Sequence, residues 1–176
     1  MNFNECIALM KADYRRYVNG NQIGSKFLRF MKIYYLERGF RYTVWLRLAS
    51  ISGILGIVPK LVLHHLQSKF GIQIHSCTKI GGGLYIGHGV GIIIHPKTII
   101  GENVNISQFL TIGSNFGTPA IIEDNVYIGP NVCLVENVRI GSRSKIGAGA
   151  VVTKDIPPYS VAAGVPAKVI KIVEKE

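Results

Sequence analysis

The sequence predicts a mainly β protein, a parallel β-helix built from six-residue repeats and preceded by an α-helical segment, and three observations predict it. Aliphatic side chains recur every six residues from Ile74 to Val152, a glycine follows many of them, and residues 1–70 instead place their apolar residues three to four apart. At 176 residues the chain accommodates one well-buried core and a small appendage, not two ordinary domains.

The helical segment comes first. Phe3, Ile7, Met10, Tyr14 and Val18 form one apolar stripe, Phe27, Phe30, Met31 and Tyr34 a second, and Trp45, Leu48 and Ile51 a third. Asn19-Gly20-Asn21, Gly39 and the stretch from Gly53 to Pro59 are the expected stops between helices.

Beyond Gly71 the step becomes six. The repeating aliphatics are Ile74, Ile80 and Ile86, then Ile94, Ile100, Ile106 and Ile112, then Ile122, Ile128, Leu134, Ile140, Ile146 and Val152. Neither a helix nor a plain amphipathic strand has this period. A parallel β-helix does, since each short strand with its corner takes about six residues and three such faces close a coil, which makes roughly four coils here. One aliphatic per hexad is expected to point inward. Gly81, Gly87, Gly101, Gly113, Gly129, Gly141 and Gly147, each following its aliphatic, are expected at tight corners that exclude a Cβ.

The register breaks twice. Ile86 to Ile94 spans eight residues, so two extra are extruded within Gly87-His88-Gly89-Val90-Gly91; Ile112 to Ile122 spans ten and pushes out the loop Ser114 to Pro119. Loops leaving a rigid scaffold are where sites are usually built.

The formal charge of +10 invites nucleic acid as a partner, but its distribution argues otherwise. Residues 1–70 hold eleven Lys/Arg against three acids, and residues 71–176 nine against seven. The basic character belongs to the helical segment, which is read either as a solvated packing face or as an interfacial surface on anionic lipid. Tyr14 to Tyr17 and Phe27 to Tyr35 mix aromatics with cations as interfacial helices do. Cys6, Cys77 and Cys133 show no ligand spacing and are expected to be buried small hydrophobes in a reducing compartment. With no signal-peptide order and no span-length apolar run, the expected location is the cytoplasm, with the inner face of the membrane as an additional possibility.

The stretch IGAGAVVTKDIPPYSVAAGVPAKVIK, Ile146 to Lys171, resembles the coenzyme-A-binding end of hexapeptide-repeat acyltransferases. The resemblance covers Gly71 to Val173 and implies a left-handed β-helix, a homotrimer, and acetyl-CoA as co-substrate without a metal. The implied units are a helical segment (1–70), the β-helix (71–157) and a coenzyme-A-binding tail (158–176). Ile74 to Gly113 is similar to the serine acetyltransferase subgroup and places His88 on its catalytic histidine.

His88 is thus the candidate general base: a neutral imidazole can take a hydroxyl proton as the thioester is attacked. Gln73, His95, Gln108 and Thr118 are the candidate orienting or acceptor-site residues, with Gln73 where the subgroup carries an aspartate, Gly87 where it carries an acid and Thr118 near its second loop histidine. For the coenzyme the resemblance implies Ala148, Thr153, Lys154, Lys168 and Lys171, and Gly129 and Gly147 permit its close approach.

Because a pocket for a small zwitterion misses those three polar groups, and because the helical segment is short, a sugar hydroxyl of a surface polysaccharide is the expected acceptor. Serine is the alternative, and a non-catalytic scaffold the third reading. His75, His88 and His95 lack the spacing of a zinc-binding carbonic anhydrase of the same fold, and no metal site is expected.

Overall fold

The computed structural model describes residues 1–18 and 25–173. The expected stop at Asn19-Gly20-Asn21 lies outside the described residues. Helix α1 (Phe3–Tyr17) opens on a capping box, in which the Asn2 side chain accepts from Glu5 N–H and Glu5 accepts from Asn2 N–H, both at 2.9 Å. Helices α2 (Lys26–Leu36) and α3 (Arg38–Ala49) follow, then a short 3-10 turn at Ile54–Gly56 and α4 (Ile57–Phe70), which ends on left-handed Gly71. Gly39 is not a stop. The break falls at Glu37, and Gly39 lies inside α3 because the helix presses there onto Ile86, whose Cβ would stand 2.9 Å from any Cβ at position 39.

The coils then succeed one another. The first is β1 (Gln73–Ile74), β2 (Lys79–Ile80) and β3 (Tyr85–Ile86); the second β4 (Ile93–Ile94), β5 (Ile99–Ile100) and β6 (Asn105–Ile106); the third β7 (Thr111–Gly113), β8 (Ile121–Ile122) and β9 (Tyr127–Ile128). The fourth is β10 (Cys133–Val135), β11 (Arg139–Ile140) and β12 (Lys145–Ile146), and β13 (Val151–Val152) starts a fifth. Face A stacks β1-β4-β7-β10-β13, face B β2-β5-β8-β11, and face C β3-β6-β9-β12, all in parallel register, with Ile74 on Ile94 on Ile112 on Leu134 on Val152. The chain closes on β14 (Ser160–Ala163), added to face C, and β15 (Lys168–Ile172), antiparallel to it. The segment after Pro158 is therefore a hairpin.

The core corrects two expectations. Two positions per hexad point inward, not one: the strand aliphatic and the residue two before it, as in Ile72 with Ile74, Leu84 with Ile86 and Ile92 with Ile94, all buried. This is strand alternation continued into the corner. The glycines after the aliphatics do not take the left-handed conformation either. That duty falls on residues two positions later, such as Gly83, Asn103, Asn131 and Arg143. Several of these glycines are instead required by coil stacking: a Cβ on Gly81 would lie 2.7 Å from the Gly101 carbonyl carbon, and one on Gly129 2.9 Å from the Ala148 nitrogen. Cys6 is buried as expected, but Cys77 is exposed, its sulfur 2.9 Å from His75 Nδ1, and Cys133 is half-buried on the outer side of face A.

A β-helix leaves the first coil's strand edges unpaired, and here the helical segment closes them. The Tyr42 hydroxyl accepts from Ile74 N–H and points its proton at the Ile72 and Ile74 carbonyls, all at 3.2 Å. Tyr17 does the same at Ile86, accepting from its N–H at 2.8 Å. A buried ion pair completes the cap. Arg47 meets both Asp13 oxygens at 2.9 and 3.1 Å and donates to the Ile80 and Gly81 carbonyls, while Asp13 accepts from Leu84 N–H at 2.8 Å. Of the two readings open for Tyr14 and Tyr17, packing is the one observed: both rings lie against Phe40, because capping the coil turns that face of α1 inward.

Burial pushes the Tyr42 phenol up to about 12 and the Tyr17 phenol higher still. A phenol raised on folding contributes stability that is full below its ordinary pKa of about 10 and is lost as pH climbs toward the folded value. Tyr42→Phe is expected to cost about 1–3 kcal/mol, because Ile74 N–H is left buried without a partner. Thermal melts at neutral pH check the cost. Melts of the native chain across pH 9–12 check the alkaline loss.

Candidate functional site

Where a coil passes from face C to face A, the regular left-handed residues form a column: Gly71, Gly91, Phe109, Asn131 and Gly149. They are linked by Gly91 N–H to the Phe70 carbonyl, Phe109 N–H to the Val90 carbonyl and so on down the stack. The two-residue insertion adds one more left-handed residue above Gly91, and that residue is His88, at φ 50°. The chain folds this way because Gly87 and Gly89 flank it. Gly89 is buried against Gly39 and Ile72, where a Cβ would meet both at 3.2 Å.

The insertion thus pushes an imidazole outward. His88 is exposed, has no hydrogen-bond partner among the described residues, and lines a hollow of about 270 Å³ with Glu37, Arg38 and Gly39 at the start of α3. Gln108 shares its corner one coil below, half-buried, and its carbonyl accepts from Asn131 N–H at 3.0 Å.

Face A separates this corner from His95 and Thr118 and itself carries Gln73. Gln73 points outward from β1, and His95 begins the next corner, toward face B, where its Nδ1 accepts from Lys97 N–H at 3.2 Å. Both line a groove of about 700 Å³ that runs down face A beneath α4, with His64, His75, Ser114 and Asn115 among its walls. Within one chain His88 and Gln73 therefore line different hollows. Thr118 is exposed on the extruded loop, its N–H bonded to Ser114 Oγ at 3.1 Å.

The coenzyme candidates divide in the same way. Ala148 is exposed on the His88 corner three coils lower, and Thr153 and Lys154 are exposed at the face A to face B corner. Lys168 and Lys171 stand exposed on β15 beside Ala163 and Val161. Gly129 and Gly147 approach the next coil closely, with a Cβ on Gly147 falling 3.0 Å from Ala163 Cβ.

Sequence reading missed the group that holds the loop. Glu136, one coil below and itself left-handed, accepts from Ser114 Oγ at 3.0 Å and from Asn115 N–H at 3.1 Å, and these donors hold its carboxyl below the usual range. The only sequence signal was an acid in the corner following the break. A lowered carboxyl pKa means that this latch is engaged at neutral pH and throughout the ordinary carboxylate range, and is lost only as pH falls below it. Glu136→Asn, too short to reach the loop yet tolerant of the left-handed backbone, is expected to open residues 114–118 to limited proteolysis several-fold faster, with Glu136→Gln intermediate, read by fragment mass.

Residues 119–154 match the family described as bacterial transferase hexapeptide (six repeats). The chain is 39% identical over 119 residues to the serine acetyltransferase of Buchnera aphidicola, covering 62% of this chain and 46% of that protein. It is 36% identical over 111 residues to the Escherichia coli serine acetyltransferase, covering 61% and 41%. It spans less than half the length of these curated relatives.

Among solved structures, soybean serine acetyltransferase complexed with serine superposes with a TM-score of 0.81 at 25% identity, over 95% of this chain and 70% of that one. The Neisseria gonorrhoeae serine acetyltransferase in complex with serine gives 0.76 at 26% identity, over 96% and 70%. These findings overturn the sugar acceptor: the relatives in sequence and in structure are named for serine, and the short helical segment still superposes on theirs. The inference from Gln73 and Gly87 failed because it took missing charges in one chain as missing recognition. Hexads run from Ile74 to Val152, residues 119–154 match the hexapeptide-repeat transferase description, and across its β-helix the chain is similar in sequence and structure to serine acetyltransferases.

Proposed function

We propose that this chain transfers an acetyl group from acetyl-CoA to the hydroxyl of serine, with His88 as the general base. The observation that carries the reading is a single imidazole extruded on a glycine-flanked bulge of a coil whose relatives are serine acetyltransferases. In the reaction the serine oxygen attacks the thioester carbonyl while a His88 ring nitrogen takes the hydroxyl proton. The C–S bond then breaks, and the proton passes to the departing sulfur, giving O-acetylserine and the free thiol of coenzyme A. A backbone N–H facing the developing oxyanion supplies stabilisation of the kind that fixed donors give.

The split of the candidates across face A supports a homotrimer whose seams complete the site. His88, Gln108 and Ala148 lie on one edge of the face, and His95, Thr118, Thr153 and Lys154 on the other, so a second copy is required to bring the two edges together. Gln73 at the groove offers a neutral amide where the resemblance implies a carboxylate, so it orients an imidazole by hydrogen bonding without an ion pair. Lys168 and Lys171 attract phosphate as point charges.

A thiol-release assay with acetyl-CoA and L-serine tests the reading. Thiol appearing in step with O-acetylserine supports it; thiol release no faster with serine than with water refutes it.

A further inference from the structure

We propose that the helical end of the molecule carries a docking surface for an anionic lipid bilayer, formed by the exposed aliphatic ridge between Gly53 and Leu61. Ile54, Leu55, Ile57, Val58 and Leu61 are between 54% and 85% exposed. Five large aliphatics within eight residues at such exposure are not the scattered apolar residues of an ordinary surface. They occupy the 3-10 turn and the first turns of α4, an element whose other face, Leu63, Leu66 and Phe70, is already buried against the first coil. The ridge is left over once the coil is capped.

Charge decides what covers it. From Arg38 to Gly101 the chain contains seven Lys/Arg and no Asp or Glu. Along α4 itself Lys60 and Lys69 are exposed and the helix carries no acid, so the element that presents the aliphatics is basic. Of the acids earlier in the chain, Asp13 is buried against Arg47 and Glu5 is held in the α1 capping box. Glu37 stands by the His88 hollow.

Two copies meeting through this surface would bring like charges together. A nucleic acid would answer the charge and leave the aliphatics uncovered. An anionic bilayer answers both, taking the side chains below its headgroups while the lysines meet the phosphates. No described helix is long and apolar enough to cross a membrane, so the contact is peripheral.

The test is flotation of the full chain with vesicles of phosphatidylcholine alone and with phosphatidylglycerol added. The expected result is flotation only with the anionic vesicles, weakened as salt approaches about 1 M, where the screening length falls to about 3 Å. The double variant Leu55→Ser/Val58→Ser should lower the bound-to-free ratio about tenfold or more at fixed salt. Lys60→Glu/Lys69→Glu should lower it and flatten the salt dependence. All four side chains are exposed, so circular dichroism and melting of both variants should match the native chain.

Failure of the native chain to float with anionic vesicles overturns the proposal, as does flotation unchanged by the serine pair. Sedimentation in lipid-free buffer separates the remaining reading. If the serine pair lowers the mass of the assembly, the ridge is covered by another copy of this chain and the lipid assignment is wrong.

Discussion

Replacing His88 by asparagine is expected to lower kcat for serine acetylation by ~10² to 10⁴, the usual worth of a general base, with little change in the KM for acetyl-CoA. Asparagine is chosen over alanine because position 88 is left-handed, a conformation asparagine tolerates well and alanine does not. The fold should be untouched, since the imidazole is exposed and unbonded among the described residues. The pH profile separates a base from a binding group: loss of the base removes the acidic limb of kcat/KM, whereas loss of a binding contact raises KM and leaves that limb in place. Steady-state kinetics on folded, mass-checked variant across pH 5.5–9 decides between them.

The largest effect on stability is expected at the opposite end of the cap. Asp13→Ala strands a buried guanidinium, and removing one partner of a buried pair typically costs about 3–5 kcal/mol. For a chain of this size that is roughly 6–20 °C in melting temperature. Buried ion pairs can often be replaced as a pair by apolar residues at little cost. Here that rescue should fail.

Both members also hold backbone of the first coil: Arg47 the Ile80 and Gly81 carbonyls, Asp13 the Leu84 N–H. Asp13→Leu/Arg47→Met would leave those groups unpaired at a buried strand edge, so the double variant should melt no higher than the better single one. Recovery to the native melting temperature would show that the cap depends on apolar packing alone.

Legibility divided along a physical line. The coil was readable because its period of six is a property of covalent spacing, and the two departures from it, at Ile86 to Ile94 and Ile112 to Ile122, mark the His88 bulge and the extruded loop in the sequence itself. Contacts between segments far apart in sequence were not readable. Nothing in the pattern of α1 says that Asp13 meets Arg47, or that Tyr17 meets Ile86 across 69 positions. Nor does Glu136 announce that its carboxylate reaches back 22 positions to Ser114.

The misassigned acceptor has a related cause. The candidates lie on both edges of face A, so under the proposed seam site local charge at Gln73 and Gly87 is a poor measure of the pocket. Glycine was misread for another reason: the sequence cannot distinguish a glycine needed for its dihedral angles from one needed for the stacking of the next coil, and Gly81 is of the second kind.

A structure of the assembled protein with coenzyme A and serine bound is the most direct measurement of where the chemistry occurs. The account predicts the serine hydroxyl within about 3.2 Å of a His88 ring nitrogen, at a seam where face A of one copy meets the His88 corner of another. Serine bound elsewhere, with the His88 imidazole open to solvent and far from any neighbouring copy, would contradict it.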